Sequence, residues 1–140
     1  MEVIGGLALN YRILLQLVLF GSLACSHATL AHHSFAAQYD ANKPLELEGT
    51  VTKFDWMNPH AHFYVDVKDK EGHVINWNFE IPSPNVLKRQ GWSRTQLKVG
   101  DSVKVKAFPA KNGTNMASAS VIRLKDGSQI FGREGNPLPP

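Results

Sequence analysis

The sequence predicts a mainly β protein, a small barrel of five to six strands with one short helix between strands 3 and 4. Three observations support this prediction. Apolar and polar residues alternate with a period of two through most of the segment 45–131, as they do in strands that bury one face. Turn residues separate these stretches at short intervals, and a single capped helix pattern lies between the third and the fourth stretch.

Three strands come first in the predicted order. The first runs from Leu45 to Trp56, and because its apolar residues change sides along the way, a bulge is predicted near Gly49. The second strand runs from about His62 to Val67, after a break at Asn58-Pro59. A hairpin loop that ends in glycine leads to the third strand, which runs from about His73 to Ile81.

A helix and the remaining strands follow. Ser83 can cap the helix, Pro84 suits its first position and Gly91 suits its exit. A further helical turn is predicted from about Ser93 to Leu97. The remaining strands are predicted at about 102–107, Met116–Leu124 and Gln129–Phe131. A long first strand and a helix between strands 3 and 4 indicate an OB-fold-like barrel, with another small β-barrel or a half-open sandwich as the alternative.

The first 31 residues predict a cleaved secretory signal peptide and hence a periplasmic protein. Arg12 precedes a short apolar run over residues 13–20, and small residues follow the run. A membrane span needs about 20 apolar residues, so this run is too short to be one. Cleavage points that fit the small-residue rule lie after Ala24, Ala28 and Ala31. The last of these points would make His32 the N-terminal residue.

The single cysteine, Cys25, bears on anchoring and on chemistry. A lipoprotein anchored at Cys25 is a minor alternative, because Ser22 stands where the lipoprotein signal has an aliphatic residue. Removal of the leader would leave no cysteine, which excludes a disulfide framework, a thiol nucleophile and a thiolate metal site.

The rest of the chain divides into a lead-in segment over 32–44, the barrel domain over 45–131 and a tail over 132–140. The tail is rich in proline and glycine and is predicted to be disordered. The formal net charge is +3, and the basic residues are spread along the chain. This distribution predicts a soluble surface with no nucleic-acid partner and no stable membrane span.

Histidine is the residue type that points to chemistry. His60 and His62 are two residues apart, so both imidazoles would face one side of a strand and could chelate a late transition metal. His32 and His33 follow directly after the predicted leader, and an N-terminal His32 could hold copper through its amine and imidazole together with a second histidine, as in a histidine brace. Copper is the expected metal and zinc the second choice, because nitrogen ligands favour Cu(II). Unrelated histidines and a solvated N-terminus are the alternative.

Other side chains suggest a second surface. The candidates for a ligand-binding face are Trp56, Tyr64, Asn76 and Trp92, because OB-folds often bind ligands on their second and third strands. Core packing is the favoured interpretation for Trp56, as it is for Phe63, Trp77 and Phe79.

The sequence assigns no catalytic residue. Ser34 stands beside His33, but no acid stands in a recognisable pattern with them. Asp66 and Glu80 are either inner carboxylates or ordinary charges on a strand surface. A non-enzymatic role is therefore favoured.

Motifs along most of the predicted mature chain resemble a known family. They include His32-His33-Ser34-Phe35-Ala36-Ala37, Trp56-Met57-Asn58-Pro59-His60, Ser83-Pro84-Asn85 and Val99-Gly100-Asp101. These residues are similar to an uncharacterised bacterial family, the domain of unknown function 6152. The resemblance implies a periplasmic OB-like barrel and supplies no activity. His62 departs from the family pattern, in which an aromatic residue is commoner, so His32, His33 and His60 are the firmer metal ligands.

These observations lead to three functional interpretations. The favoured one is a non-enzymatic periplasmic binding module that holds copper through the N-terminal and strand histidines. The second is an accessory protein that binds an envelope protein or a glycan through the face with Tyr64 and Asn76. The third is a copper oxidoreductase, which needs an open coordination position and a redox-active ion.

Overall fold

Six strands form one sheet in the part of the chain that the computed structural model describes, residues 35–132. They are β1 (Leu45–Asp55), β2 (Ala61–Lys68), β3 (Val74–Ile81), β4 (Ser102–Pro109), β5 (Met116–Leu124) and β6 (Gln129–Phe131). A helix, α1 (Pro84–Arg89), lies between β3 and β4, and residues 35–38 form a helical turn ahead of the barrel. The predicted strand order and the predicted position of the helix are confirmed.

The sheet closes into a barrel. Its strand order is β3-β2-β1-β4-β5-β6, and neighbours in this order are antiparallel. A short parallel pairing of β3 with β5, in which Glu80 stands opposite Ser118, closes a five-stranded barrel and leaves β6 as an extra strand on β5. The protein is therefore mainly β, with the OB-fold-like architecture that the sequence predicts.

Alternation along the strands decides which side chains fill the barrel. In β2 the buried positions begin at Ala61 and recur at every second residue, so His62 and Tyr64 face outward. The rings of Phe63 and Phe79 are fully buried and stack inside the barrel with their centroids 5.1 Å apart. The core prediction is thus confirmed for these two residues. The outward positions of β2 and, apart from Val74, of β3 carry polar side chains.

The predicted bulge lies elsewhere in β1. The register of β1 against β2 shifts between Val51 and Lys53, not at Gly49. Gly49 approaches β2 so closely that a Cβ atom would lie 2.2 Å from the carbonyl oxygen of Asp66. The close approach of two strands therefore requires glycine at this position.

The helix α1 begins and ends as predicted. The Ser83 side chain accepts a hydrogen bond from the backbone N–H of Val86, and Gly91, just beyond the helix, has a φ of 87°. The prediction of a further helical turn over 93–97 is wrong, because this segment forms turns and bends. There the Ser93 hydroxyl accepts a bond from the backbone N–H of Thr95, and such local bonds compete with a helix. No helix within residues 35–132 is long and apolar enough to cross a membrane.

Residues 35–40 form an N-terminal strap on the outside of the barrel. The backbone N–H of Asp40 donates to the carbonyl of Pro109 at 2.9 Å. The backbone N–H of Lys111 donates to the carbonyl of Gln38, also at 2.9 Å. Backbone hydrogen bonds thus fasten the strap to the end of β4 and the loop that follows it.

Apolar contacts hold the same strap. A small cluster separate from the main core contains Tyr39, Phe108 and Ala110, with Phe35 and Met116 packed against it. The Phe35 ring lies 5.4 Å from the Tyr39 ring and 5.8 Å from the Phe108 ring, measured between centroids. These contacts bury Tyr39 on the outward side of the sheet, where it reaches β3.

Candidate functional site

A buried carboxylate lies at the centre of the candidate site. Glu80 occupies an outward position of β3, yet only 5% of it is exposed, because Tyr39 of the strap lies over it. Its Oε2 accepts a hydrogen bond from the Tyr39 hydroxyl at 2.6 Å, and its Oε1 lies 2.6 Å from Nδ1 of His60. Both oxygens have a polar partner, which offsets the cost of burying the group.

Tyr39 serves this site as a hydrogen-bond donor. Burial, the hydrogen bond to Glu80 and the charge of that carboxylate all raise the pKa of Tyr39 well above the ordinary value of a tyrosine. The phenol consequently stays protonated, and its O–H donates a hydrogen bond to the carboxylate. Gln38 Nε2 donates in turn to the Tyr39 oxygen at 3.2 Å. The strap therefore contributes two side chains to a hydrogen-bond chain that ends at His60.

The carboxylate determines which nitrogen of His60 is available. An ionised carboxylate only accepts hydrogen bonds, so the adjacent Nδ1 carries a proton and Nε2 keeps the lone pair when the ring is neutral. The His60 side chain is 41% exposed, which leaves the imidazole open to solvent. Metal-binding histidines usually donate their other ring N–H to a carboxylate or carbonyl in this way.

His62 repeats the arrangement two residues later. Its Nδ1 lies 2.9 Å from Oδ1 of Asn78, the outward residue of β3 that precedes Glu80 by two positions. An amide oxygen accepts hydrogen bonds, so Nδ1 of His62 donates and Nε2 again keeps the lone pair. Both histidines thus lie on the outer side of the barrel, each held by a different side chain of β3.

The other two predicted metal ligands, His32 and His33, lie outside the described residues 35–132. They precede Phe35 by three and two positions. The strap is therefore the part of the chain that connects them to the barrel.

A separate group of ligating side chains occurs in the hairpin between β2 and β3. Within the described residues, Asp69, Glu71 and His73 form the one group of three histidine or acidic side chains whose ligand atoms lie close enough to hold an ion. Asp69 Oδ1 already accepts the backbone N–H groups of Glu71 and His73, at 3.0 and 2.8 Å. Glu71 and His73 are exposed, so the group is explained as an aspartate that closes a surface turn.

Two of the four candidate ligand-face residues lie on the outer face. Asn76 Nδ2 donates to Asp66 Oδ1 at 2.7 Å and to Thr52 Oγ1 at 3.1 Å. The ammonium group of Lys53 lies 5.1 Å from the centroid of the Tyr64 ring. Polar neighbours on the same face therefore already contact both residues.

The two tryptophans do not form an open face. Trp92 is 7% exposed, and its ring packs edge-on against Phe131. Trp56 is partly buried against the main core and packs edge-on against Phe54. The expectation that Trp92 lines a binding face is corrected by its burial, and core packing, the favoured interpretation of Trp56, agrees with its contacts.

Sequence reasoning missed the roles of Glu80 and Tyr39. Strand alternation places Glu80 on the outer face, where an acidic residue is ordinarily solvated, and its burial depends on a strap without strand periodicity. Phe35 and Tyr39, four residues apart in a polar lead-in, are the signal that could have indicated a docked helical turn.

Fold and site together define an OB-fold-like barrel with two outward histidines that its third strand holds in place. Residues 21–119, more than half of the chain, match a family of unknown function, DUF6152, and the chain belongs to this family. The predicted membership of this family is thereby confirmed. No curated protein matches the chain.

A solved structure with a similar fold is that of the mitochondrial single-stranded DNA-binding protein Rim1 from S. cerevisiae. The two chains are 13% identical with a TM-score of 0.46, and the match covers 59% of this chain and 93% of that chain. The expectation that excludes a nucleic-acid partner is contradicted by this neighbour, which is named as a single-stranded DNA-binding protein. At this identity the similarity concerns the fold alone.

Proposed function

We propose that the protein is an exported, non-enzymatic metal-binding module of the bacterial periplasm and that its ion is copper. The paired arrangement of His60 and His62 is the observation that carries this proposal. Each imidazole places Nδ1 against a side chain of β3, Glu80 or Asn78, and keeps its lone pair on Nε2. Neutral imidazoles whose rings are held by such partners suit a late transition metal.

Further ligands would come from His32 and His33. In a mature chain that begins at His32, the terminal amine and the imidazole of this residue would supply two nitrogen ligands, and His33 would supply one more.

The periplasmic location and the choice of copper follow from the sequence and the ligand chemistry. Residues 1–31 combine a basic residue, a short apolar run and small residues, which is typical of a secretory leader. Of the three predicted cleavage points, only the one after Ala31 would make His32 the N-terminal residue. Nitrogen ligands bind Cu(II) more tightly than Zn(II), so zinc is the second choice.

The alternative function, capture of an envelope protein or a glycan by the outer face, has weaker support. The Lys53 ammonium lies over the Tyr64 ring, where a sugar would stack, and the Asn76 amide already donates to two side chains. The histidine pair, in contrast, has its metal-binding nitrogens uncommitted to the residues of β3.

Copper uptake by the exported mature protein tests the proposal. Native intact mass, measured after loosely held ions are removed, should show a chain that begins at His32 and retains one copper. His60→Ala and His62→Ala should each lower the affinity in a chelator competition, because each removes one imidazole nitrogen. The expected loss is larger for His60, whose ring a carboxylate orients.

His73→Ala is the matched control. This histidine lies in the hairpin between β2 and β3, where its Nδ1 is 3.1 Å from Asp69 Oδ2, and its removal should leave copper affinity unchanged. A wild-type protein that retains no copper, or a His60→Ala variant that binds as tightly as wild type, would overturn the proposal.

A further inference from the structure

One carboxylate serves both the strap and the histidine. Glu80 Oε2 accepts the hydroxyl of Tyr39, the most deeply buried residue of the strap, and Glu80 Oε1 holds Nδ1 of His60. The two contacts are equally short, at 2.6 Å each. A change in one contact therefore alters the environment of the other through a single side chain.

Contacts that do not involve Glu80 also hold the strap. Its backbone bonds to Pro109 and Lys111 and its ring contact with Phe108 are made to β4 and the loop after it. Docking and release of the strap can thus occur without unfolding the barrel, because no strand of the barrel passes through residues 35–40.

We propose that docking of the N-terminal strap and metal binding at His60 are coupled through Glu80, so that Tyr39 and Glu80 are positioning residues of the metal site. This inference rests on the proposed function, since it concerns the same histidines. It adds that the affinity for the ion depends on residues that do not touch the ion.

One physical effect gives the coupling its sign. A docked Tyr39 fixes the Glu80 carboxylate, which keeps Nδ1 of His60 protonated and Nε2 directed at the ion. The docked state of the strap is therefore the tighter binder.

Thermodynamic linkage makes the coupling measurable from either side. If docking raises copper affinity by some factor, then copper raises the docking equilibrium by the same factor. Hydrogen exchange of the mature protein, with and without Cu(II), should therefore show slower exchange at the amides of Asp40 and Lys111 when copper is present. The amide of Leu124, which donates to Ser128 in the β5–β6 hairpin, is a control far along the chain and should exchange at an unchanged rate.

Two variants test the roles of the positioning residues. Tyr39→Phe removes the hydroxyl and keeps the ring, and Glu80→Gln keeps the size of the side chain and removes its charge. Each should weaken Cu(II) binding by about 10- to 100-fold, the usual effect of removing such a supporting partner. Electron paramagnetic resonance of the copper-loaded variants should show fewer coordinated nitrogens, a change that lower stability alone does not produce.

Ser120→Ala is the matched control for the loss of a hydroxyl group. Ser120 is buried and donates to the carbonyl of Lys106 at 3.0 Å, a bond that includes neither Glu80 nor His60, so this variant should bind copper as wild type does. If wild type binds copper and His60→Ala does not, but Tyr39→Phe binds normally or copper leaves the Asp40 amide unprotected, the coupling is wrong and the proposed function stands. If wild type binds no copper, both are wrong.

Discussion

Tyr39 and Glu80 lie 41 residues apart in the sequence and share a hydrogen bond of 2.6 Å in the folded protein. Both are almost completely buried. Burying a carboxylate that has no hydrogen-bond partner costs free energy, because the group loses its contacts with water. The bond therefore stabilises the docked strap and, through the other carboxylate oxygen, the orientation of His60.

Tyr39→Phe should lower the free energy of unfolding by about 1–3 kcal/mol. The buried carboxylate of Glu80 loses a donor in this variant, while the ring keeps its packing against Phe35. Urea denaturation followed by tryptophan fluorescence measures the difference. Tyr64→Phe, on the outer face of β2, is the control and should lie within about 0.5 kcal/mol of wild type. A Tyr39→Phe midpoint equal to that of wild type would contradict the prediction.

Alanine at Glu80 should destabilise the protein much more than alanine at Glu48. The first change removes the acceptor of a buried hydroxyl and of His60, and we expect a loss near the upper end of about 1–3 kcal/mol. The Glu48 side chain is 72% exposed and pairs with Lys104 at 3.8 Å, so its loss should cost less than about 1 kcal/mol. Thermal unfolding followed by circular dichroism compares the two variants. Equal losses would show that the Glu80 contacts do not stabilise the fold.

Alkaline solution should weaken the fold through Tyr39. Burial first, and then the hydrogen bond to Glu80 and its charge, raise the pKa of Tyr39 above its ordinary value in the folded protein. The resulting stabilisation is complete below about pH 10, where tyrosine in an unfolded chain stays protonated, and is lost as the pH rises further. The free energy of unfolding should therefore fall more steeply above about pH 10 in wild type than in Tyr39→Phe. Parallel curves from urea titrations at constant ionic strength would contradict this.

Local patterns predicted most of the fold. β5 and β6 begin and end at the predicted residues, because the turn residues that bound them lie in the neighbouring sequence. The role of Gly49 was not predictable in this way, since the requirement for glycine comes from the Asp66 carbonyl on another strand. The prediction of a helical turn over 93–97 failed because the Ser93 hydroxyl bonds to the nearby backbone there.

The candidate site was predictable only where its geometry is local. The spacing of His60 and His62 predicted two imidazoles on the same side of the chain. In the structure His62 lies in β2 and His60 immediately precedes it, and side chains of β3 contact both rings. Those partners belong to β3, and register against another strand cannot be derived from a single strand's sequence. The burial of Glu80 depends on Tyr39, which comes from a segment without strand periodicity.

Gly49→Ala should destabilise the barrel by about 1–3 kcal/mol or more, as expected for an atom forced into a filled space. The new Cβ would lie 2.2 Å from the Asp66 carbonyl oxygen and 2.7 Å from Cγ1 of Val65, and the first of these neighbours belongs to the backbone and cannot rotate away. The adjacent, exposed Thr50 provides the control, since Thr50→Ala adds no atom and should change the free energy of unfolding by less than about 1 kcal/mol. Urea denaturation of both variants separates the two effects. If Gly49→Ala is no less stable than Thr50→Ala, then β1 and β2 lie farther apart than the structure places them, and glycine is not required at this crossing.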